Sequence, residues 1–536
     1  MFSQLVLVRR LGGGSTTPKL SSRLTLVLAA LMALTGGLGA KADTNSDSVA
    51  ALRQLVEQQN RKLDELNEKV RQLEEREQQR DTAPAEQRLP AIVIDTNGVP
   101  IATVAASSRE IESEGMPTNR PVARLSAGEN GFSFASADTN FVLSLHGLLQ
   151  VDTHTFFDNN PYNQGNDGFL LRRARPIMEA KVFRDFDFVL APDFGWPTTS
   201  VQIFDAYVNY KYNPALQFRA GKFKGPVGLE SLQSDAAASF NEKSLASDLV
   251  PMRNLGFQLW GELDDGVLNW VAGVYNTDGD YRVAGNNSFN NDVEFGGRLF
   301  LQPFKNAEAN PLQGLGFGVG GSYGNVISNS AALPNTLGGT LPGYVTAGQQ
   351  QFFAYNPIYG SVVADGTHWR LSPEACYYLG PFGVQGEYDI SDQSVQNTAT
   401  MARAALENTA WQVSGQWVLT GEKASFTGLT PANPFDPHEG SWGALQLVAR
   451  FSELNIDSAA FNSFSDPTTS ARSAAAWSVG INWWLNRNVR VLTSFSHTTF
   501  QGGGEVNPFI PSTTTAPATV THQDENILFT RIQLAF

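Results

Sequence analysis

The chain has 536 residues, and 52 Asp and Glu against 38 Lys and Arg leave a formal net charge of -14, which excludes a general nucleic-acid binder because such a protein needs a basic face. Charged residues make up 17% and aromatic residues 11%, with 49 Gly; this is less charge than the ~25% usual in soluble proteins and suits many short strands joined by turns. One cysteine, Cys376, excludes an intrachain disulfide and a cysteine-based metal site.

At the N-terminus, Arg9, Arg10, Lys19 and Arg23 precede an apolar run over residues 24–34, and small residues lead to Ala40-Lys41-Ala42. This basic, apolar, A-x-A order predicts a secretory signal at 1–42, with the mature chain starting at Asp43. The alternative is a retained anchor, for which the run is short of the ~20 residues a helix needs to cross a bilayer. No other stretch is that apolar, so a membrane-embedded mature chain must cross as strands.

Over residues 49–73, Val49, Val56, Leu63 and Val70 fall at heptad position a, and Leu52, Gln59, Leu66 and Leu73 at d. That seam predicts a short periplasmic α-helical coiled coil within 43–80, with Gln59 as a register-setting polar residue. The alternative is a single amphipathic helix lying on another surface. Val at a with Leu at d leans towards two strands. Residues 81–137, rich in Pro, Ser, Thr and charge, read as a linker.

From Phe141 the period changes to two, and residues 138–536 read as one β-barrel domain. Phe141, Leu143, Leu145, Leu149 and Val151 share one face, and Ser144, His146, Gln150 and Asp152 the other. Phe204, Ala206, Val208, Tyr210 and Tyr212 likewise oppose Asp205, Asn209 and Lys211. Such segments recur roughly sixteen times, an even number within the bacterial barrel range. The fold class expected is all-β, a 16-stranded transmembrane antiparallel β-barrel behind the short coiled coil. In lipid the sheet has to close, because an open edge strands its backbone N–H and C=O groups. Tyr210, Tyr212, Trp260, Trp442, Trp483 and Trp484 are candidates for the interfacial girdles. The last strand alternates through Leu528, Thr530, Ile532 and Leu534 and ends on Phe536.

Nothing here reads as catalytic: six scattered histidines, His146 and His497 among them, come without a nucleophile motif. The glycines around Gly316, Gly318, Gly320 and Gly321 sit in a strand-like run and read as close-packed barrel wall rather than a phosphate loop. No cofactor or metal is implied. Strand alternation puts Arg173, Arg175, Glu179 and Lys181 on one face, with Arg172 beside them. Facing a lumen, they and Arg219, Lys222, Arg298 and Arg450 would gather anions. The alternative is a set of lumenal salt bridges that rigidify without selecting. The segment from Lys224 to Pro251 reads as a constriction loop folded inward, the alternative being a solvent-exposed loop.

Several motifs together resemble the phosphate-selective porin O and P family over residues 141–536. These are Phe169-Leu170-Leu171-Arg172-Arg173-Ala174, Phe183-Arg184-Asp185-Phe186, and Phe204-Asp205-Ala206 leading to Gly221-Lys222-Phe223 and Gly228-Leu229-Glu230. Leu419-Thr420-Gly421-Glu422 and Val479-Gly480-Ile481-Asn482-Trp483-Trp484 continue the match. The resemblance implies a sixteen-stranded homotrimeric porin with lumenal arginines and a lysine-lined constriction that binds phosphate. Arg172, Arg173 and Asp205 match pore positions of the family. Lys222 stands where the family typically has Arg, and Lys243 is a candidate replacement for a constriction Arg. Two departures bear on phosphate. Ser231 follows Gly228-Leu229-Glu230 where the family's site has lysine, and residues 426–440 contain no lysine.

The function expected is an outer-membrane porin passing small hydrophilic solutes, anions foremost, without a tight phosphate site. Its partners would be outer-membrane lipid, small anionic or polar solutes and two further copies of itself. Two rival classes differ testably. An outer-membrane enzyme needs a nucleophile and base converging at the barrel rim. A structural tether or adhesin would depend on the coiled coil, so deleting residues 49–73 would abolish function and leave conductance intact.

Overall fold

The computed structural model describes residues 123–157, 165, 167–195, 201–277, 280, 293–307, 310–327, 341–461, 463–502 and 524–536, all within the compact unit Met116–Phe536. The expected signal, the coiled coil and most of the linker lie outside the described residues. Among those described, the strands are β1 (Arg124–Gly128), β2 (Gly131–Ala135), β3 (Phe141–Phe156), β4 (Gly168–Val182), β5 (Phe186–Asp193), β6 (Gln202–Asn213) and β7 (Leu216–Phe223). There follow β8 (Asn254–Leu263), β9 (Leu268–Asn276), β10 (Val293–Leu301), β11 (Leu315–Ile327), β12 (Gly343–Val345), β13 (Gln351–Ala354) and β14 (Val362–Leu379). The last are β15 (Phe382–Asn397), β16 (Arg403–Val418), β17 (Ala444–Asn455), β18 (Ser473–Trp484), β19 (Val489–Gln501) and β20 (Glu525–Ala535).

Of the eighteen strands in the main sheet, β1 and β2 form a hairpin and the other sixteen close the barrel, all antiparallel. Closure runs through β20 on β3, from Ile527 opposite Phe156 to Ala535 opposite Leu148. Below that point β20 has ended, and β2 takes over the same edge of β3, with Phe132 opposite Leu145 and Ala135 opposite Val142. The hairpin falls inside the stretch read as linker, so ordered sheet begins upstream of Phe141.

No helix among the described residues is long and apolar enough to cross a membrane; the strands supply the apolar belt. Leu145, Leu149 and Val151 of β3, Phe295 and Leu299 of β10, and Ile532 and Leu534 of β20 are exposed, while Gln150 and Asp152 are fully buried inside. An apolar exterior around a polar interior inverts the soluble pattern and matches a bilayer. Tyr210, Tyr212 and Trp442 are exposed as girdle residues should be. Two of the expected girdle residues turn inward instead. The Trp260 indole N–H donates to Asn209 Oδ1 at 2.8 Å, and Trp484 is buried and donates to Gln446 Oε1.

At the end of the barrel holding Phe536, several connections are tight turns, such as residues 183–185, 214–215 and 380–381. Residues 224–253, at the opposite end, fold inward as read from the sequence. A Cβ on Gly320 would stand 2.4 Å from the Pro226 carbonyl oxygen, so bare backbone at that position lets the loop lie against the wall. From there it crosses the lumen. Gln533 of β20 donates to the Ala236 carbonyl at 3.0 Å, Asn482 of β18 to that of Ser239 at 3.0 Å, and Ser494 of β19 to Asn241 Oδ1 at 2.9 Å. On its loop-end side, Leu245, Ala246 and Leu249 join Tyr344, Phe352, Phe353, Leu406 and Leu454 in one buried apolar cluster. On its turn-end side, Gln233 donates to the Phe426 carbonyl at 2.8 Å, tying it to residues 419–443.

Candidate solute pathway

A β-bulge decides what the arginine run does. β4 pairs with β3 through Gln150 opposite Arg173 and then Val151 opposite Leu171, leaving Arg172 as the extra residue. Strict alternation would send Arg172 and Arg173 to opposite faces. The bulge instead puts both side chains in the interior, and both are buried. A second bulge, between Ala191 and Pro192 of β5, does the same for Phe204. Phe204 belonged to the outward face on simple alternation, but it is buried, with Arg175 3.8 Å and Arg253 4.9 Å from its ring centre.

Most of the gathered arginines meet carboxylates. Arg172 donates to Glu242 in a two-pronged pair at 2.6 and 2.9 Å. Arg531 of β20 grips Asp152 at 2.7 and 2.6 Å and also reaches Glu242 at 3.3 Å. Arg173 donates to Gln150 at 2.7 Å and lies 3.3 Å from Asp235, while Arg175 pairs with Asp193 at 2.5 Å and with Asp235. Asp205, matched to a pore position, is held by Arg253 at 2.8 and 3.1 Å. Arg450 pairs with Glu230 at 2.8 Å, and Arg298 with Glu374 at 2.6 Å. Arg370, which the sequence reading passed over, pairs with Asp280 and Glu294 at 2.6 Å each. The pairs made by Glu230, Asp235, Glu242 and Arg253 hold the loop in place, and the paired arginines expose no uncompensated charge.

The loop carboxylates stay ionised under these cations. Burial works to raise the Glu242 carboxyl, but Arg172, Arg173 and Arg531 outweigh it and hold it at about 2. Asp235 is likewise held well below the usual range by Arg173, Arg175 and two lysines, against the opposing effect of burial.

Arg219, Arg490, Lys243 and Lys224 reach towards the lumen or the loop without a carboxylate within ion-pair distance among the described residues. Arg219 lies against Tyr207, Trp260 and Phe223, at 4.4, 4.8 and 5.6 Å from their ring centres, and its Nε has no hydrogen-bond partner. Arg490 donates to Gln533 at 2.9 Å and stacks on Trp484, leaving Nε and Nη1 unpartnered. Lys243 donates to the carbonyl and hydroxyl oxygens of Ser231 at 3.3 and 3.4 Å. Lys224 donates to the Gln233 carbonyl at 2.5 Å, and burial together with Lys243 and Arg253 holds its amino group well below the ordinary lysine range. Lys222 is buried, yet its register partners are Ala206 and Leu255, on the strand face opposite to Arg219.

Arg175, Arg219, Lys224 and Asp205 share a cavity of about 400 Å³ on the turn-end side of the loop. Arg172, Arg173, Lys222 and Lys243 do not line it. Sequence reasoning missed Asp235, Glu242, Arg253, Arg490 and Arg531. For Arg531 a signal existed, since it and Gln533 alternate with the lipid-facing Ile532 and Leu534. No group of three His, Cys, Asp or Glu side chains gathered for a metal ion occurs among the described residues.

A family model described as phosphate-selective porin O and P matches residues 145–534. A comparison with curated proteins returns no match. Among solved structures, the chain is similar to the outer membrane channel DcaP of Acinetobacter baumannii, with a TM-score of 0.47 and 10% identity over 75% of this chain and 99% of that one. It is also similar to an anion-selective porin from Comamonas acidovorans, with a TM-score of 0.44 and 9% identity over 74% and 100% of the two chains. A trimer form of OmpT from Vibrio cholerae gives 0.44 and 11% over 74% and 99%.

Proposed function

The chain belongs to the phosphate-selective porin O and P family and is an outer-membrane porin, and we propose that its pore favours anions weakly and lacks a tight phosphate site. One observation carries this reading: Arg172, Arg173 and Arg175, which alternation and the family resemblance point to as an anion wall, are neutralised in place by Glu242, Asp235 and Asp193. What remains to bias passage is Arg219, Arg490, Lys224 and Lys243. A few uncompensated cations facing a lumen give a preference of a few kT. A saturable phosphate site needs several converging donors to replace the hydration shell, and the position where the family places a lysine holds Ser231, which already engages Lys243.

The pathway residues proposed are Arg172, Arg173, Arg175, Asp205, Arg219, Lys222 and Lys243; the ion pairs of Arg172, Arg173, Arg175 and Asp205 shape the lumen, and Arg219 and Lys243 supply its field. The working assembly is a homotrimer in outer-membrane lipid, with 1–42 removed on export and 43–80 as a periplasmic coiled coil. The resemblance supports the trimer, the Ala40-Lys41-Ala42 order the cleavage, and the heptad the coiled coil.

The test is chloride conductance in planar bilayers titrated with phosphate. No block is expected below millimolar phosphate, and block at micromolar phosphate overturns the reading. Ser231→Lys adds a third amino group beside Lys243 and Lys224 and is expected to move block to lower phosphate concentration.

A further inference from the structure

The cavity beneath the loop has a lining that a phosphate site would not need. Its volume of about 400 Å³ falls in the range of about 300–1,000 Å³ typical of small-molecule sites. Part of the lining is apolar: Ile177 and Val189 of adjoining strands, with Tyr207 and Phe223. Four cations line it too: Arg175 and Arg253 are paired with carboxylates, and Arg219 and Lys224 have no carboxylate partner among the described residues. The carboxylates that line it are mostly spent. Asp205 is held by Arg253, and Asp235 by Arg173 and Arg175. Glu179 alone is open to solvent, 3.7 Å from His146.

Each element of this lining sorts ligands differently. Arg219 presents its face to three aromatic rings and an Nε without a partner. A guanidinium held by rings keeps its in-plane donors for an incoming planar anion, and a carboxylate fits that fork. Lys224 sits beside the cations Lys243 and Arg253, a repulsion that an arriving anion relieves. The apolar lining offers nothing to a hydrated inorganic dianion, which would surrender water without replacement. It does favour a ligand that brings its own apolar surface.

We propose that this cavity is a subsite for organic carboxylates with an apolar or aromatic body, rather than for inorganic phosphate. The proposal rests on the porin reading and deepens it by naming the solute class. The carboxylate pairs with Arg219 and Lys224, and the body lies along Ile177, Val189 and Tyr207. Acetate carries the same charge without the body, and phosphate carries more charge without it, so the two separate charge from burial.

The experiment records potassium chloride current through the full-length protein in planar bilayers while benzoate, acetate or phosphate is added. Benzoate is expected to block at a concentration about tenfold below that of acetate, equivalent to ~1.4 kcal/mol, with phosphate weaker than benzoate. Arg219→Gln should raise the blocking concentration of both carboxylates. Val189→Thr, nearly isosteric but polar, should weaken benzoate block and leave acetate unchanged; for either variant, a heat-modifiable gel shift in detergent reports an intact barrel. Equal block by benzoate and acetate, or stronger block by phosphate, overturns the subsite while leaving a working porin. A purified protein that gives no conductance overturns the porin reading itself, and the subsite falls with it.

Discussion

Glu242 stands between two guanidinium groups, and most of the loop's electrostatics turn on it. Arg531 keeps Asp152 if Glu242 is lost, but Arg172 loses its two-pronged partner. Removing one member of a buried pair costs about 3–5 kcal/mol, so Glu242→Gln should loosen the loop and unmask a lumenal cation. The expected readout is a reversal potential in asymmetric potassium chloride that shifts towards chloride. An unchanged value would place Arg172 outside the conducting path. With Glu242 at about 2, its folded-state value lies below the unfolded one. Its contribution to loop docking is therefore complete above the ordinary glutamate range and lost only as pH falls towards 2. Asp248 behaves in the opposite sense. Burial raises its carboxyl well above 3.8, and Asp280 adds to this against a hydrogen bond from the Val345 N–H at 2.9 Å. A raised folded value means that docking of the β12–β13 hairpin strengthens as pH falls through it and is weakest where Asp248 is ionised. Asp248→Asn retains an acceptor for Val345 and removes the buried charge. It should raise the melting temperature at neutral pH by a few degrees, on the order of 1 kcal/mol, and flatten its pH dependence. A variant as pH-dependent as the parent would assign the effect elsewhere.

The hairpin β1–β2 is the element that the seam of the barrel depends on. β20 ends at Ala535, and the lower edge of β3 would otherwise present unpaired backbone groups, a cost and an aggregation risk in any sheet. The hairpin tip is tied in by Asn488, whose side-chain amide donates to the Glu129 and Ala535 carbonyls at 2.7 Å each. Phe536 completes the joint, its backbone exchanging hydrogen bonds with Gly147 at 3.0 and 3.1 Å and its ring meeting Phe132 edge-on. Gly131 makes the turn with φ +81°, and a Cβ there would lie 2.2 Å from the Leu145 carbonyl oxygen. Left-handed backbone alone costs a non-glycine residue about 1–2 kcal/mol, and the clash adds to it. Gly131→Ala should therefore detach the hairpin and lower the temperature at which the folded barrel unfolds in detergent, with conductance at low temperature retained. An unaltered unfolding temperature would show that β3 needs no cover. This element hid in the sequence because Leu125, Phe132 and Phe134 are few, short-spaced and set among Ser, Gly and charge. The bulges at Arg172 and Phe204 hid for a related reason: a period-2 argument carries no information on where one residue is inserted.

At the scale of the whole molecule, the barrel was legible and its electrostatics were not. Alternation in Phe141 to Val151 and Leu528 to Leu534 reports a local property, the two faces of a strand, and closure then follows from the cost of open edges in lipid. Ion pairing is not local. Arg172 and Glu242 are 70 residues apart, and Arg531 and Asp152 are 379 apart, so no spacing rule reveals that a basic run is already neutralised. The proposed pore therefore takes its selectivity from a residual field rather than from a charged wall, and a field has a signature that binding does not. Arg219 and Lys224 act across water, so their reach follows the Debye length, about 10 Å at 0.1 M salt and about 3 Å at 1 M. The chloride-to-potassium permeability ratio should accordingly sit modestly above one in dilute potassium chloride and fall towards one as both sides are raised to 1 M. Direct coordination by converging donors is far less screened. A ratio that holds its value in 1 M salt would therefore mean that chloride is bound chemically at a narrow site, and that the paired arginines of β4 are released in the conducting state.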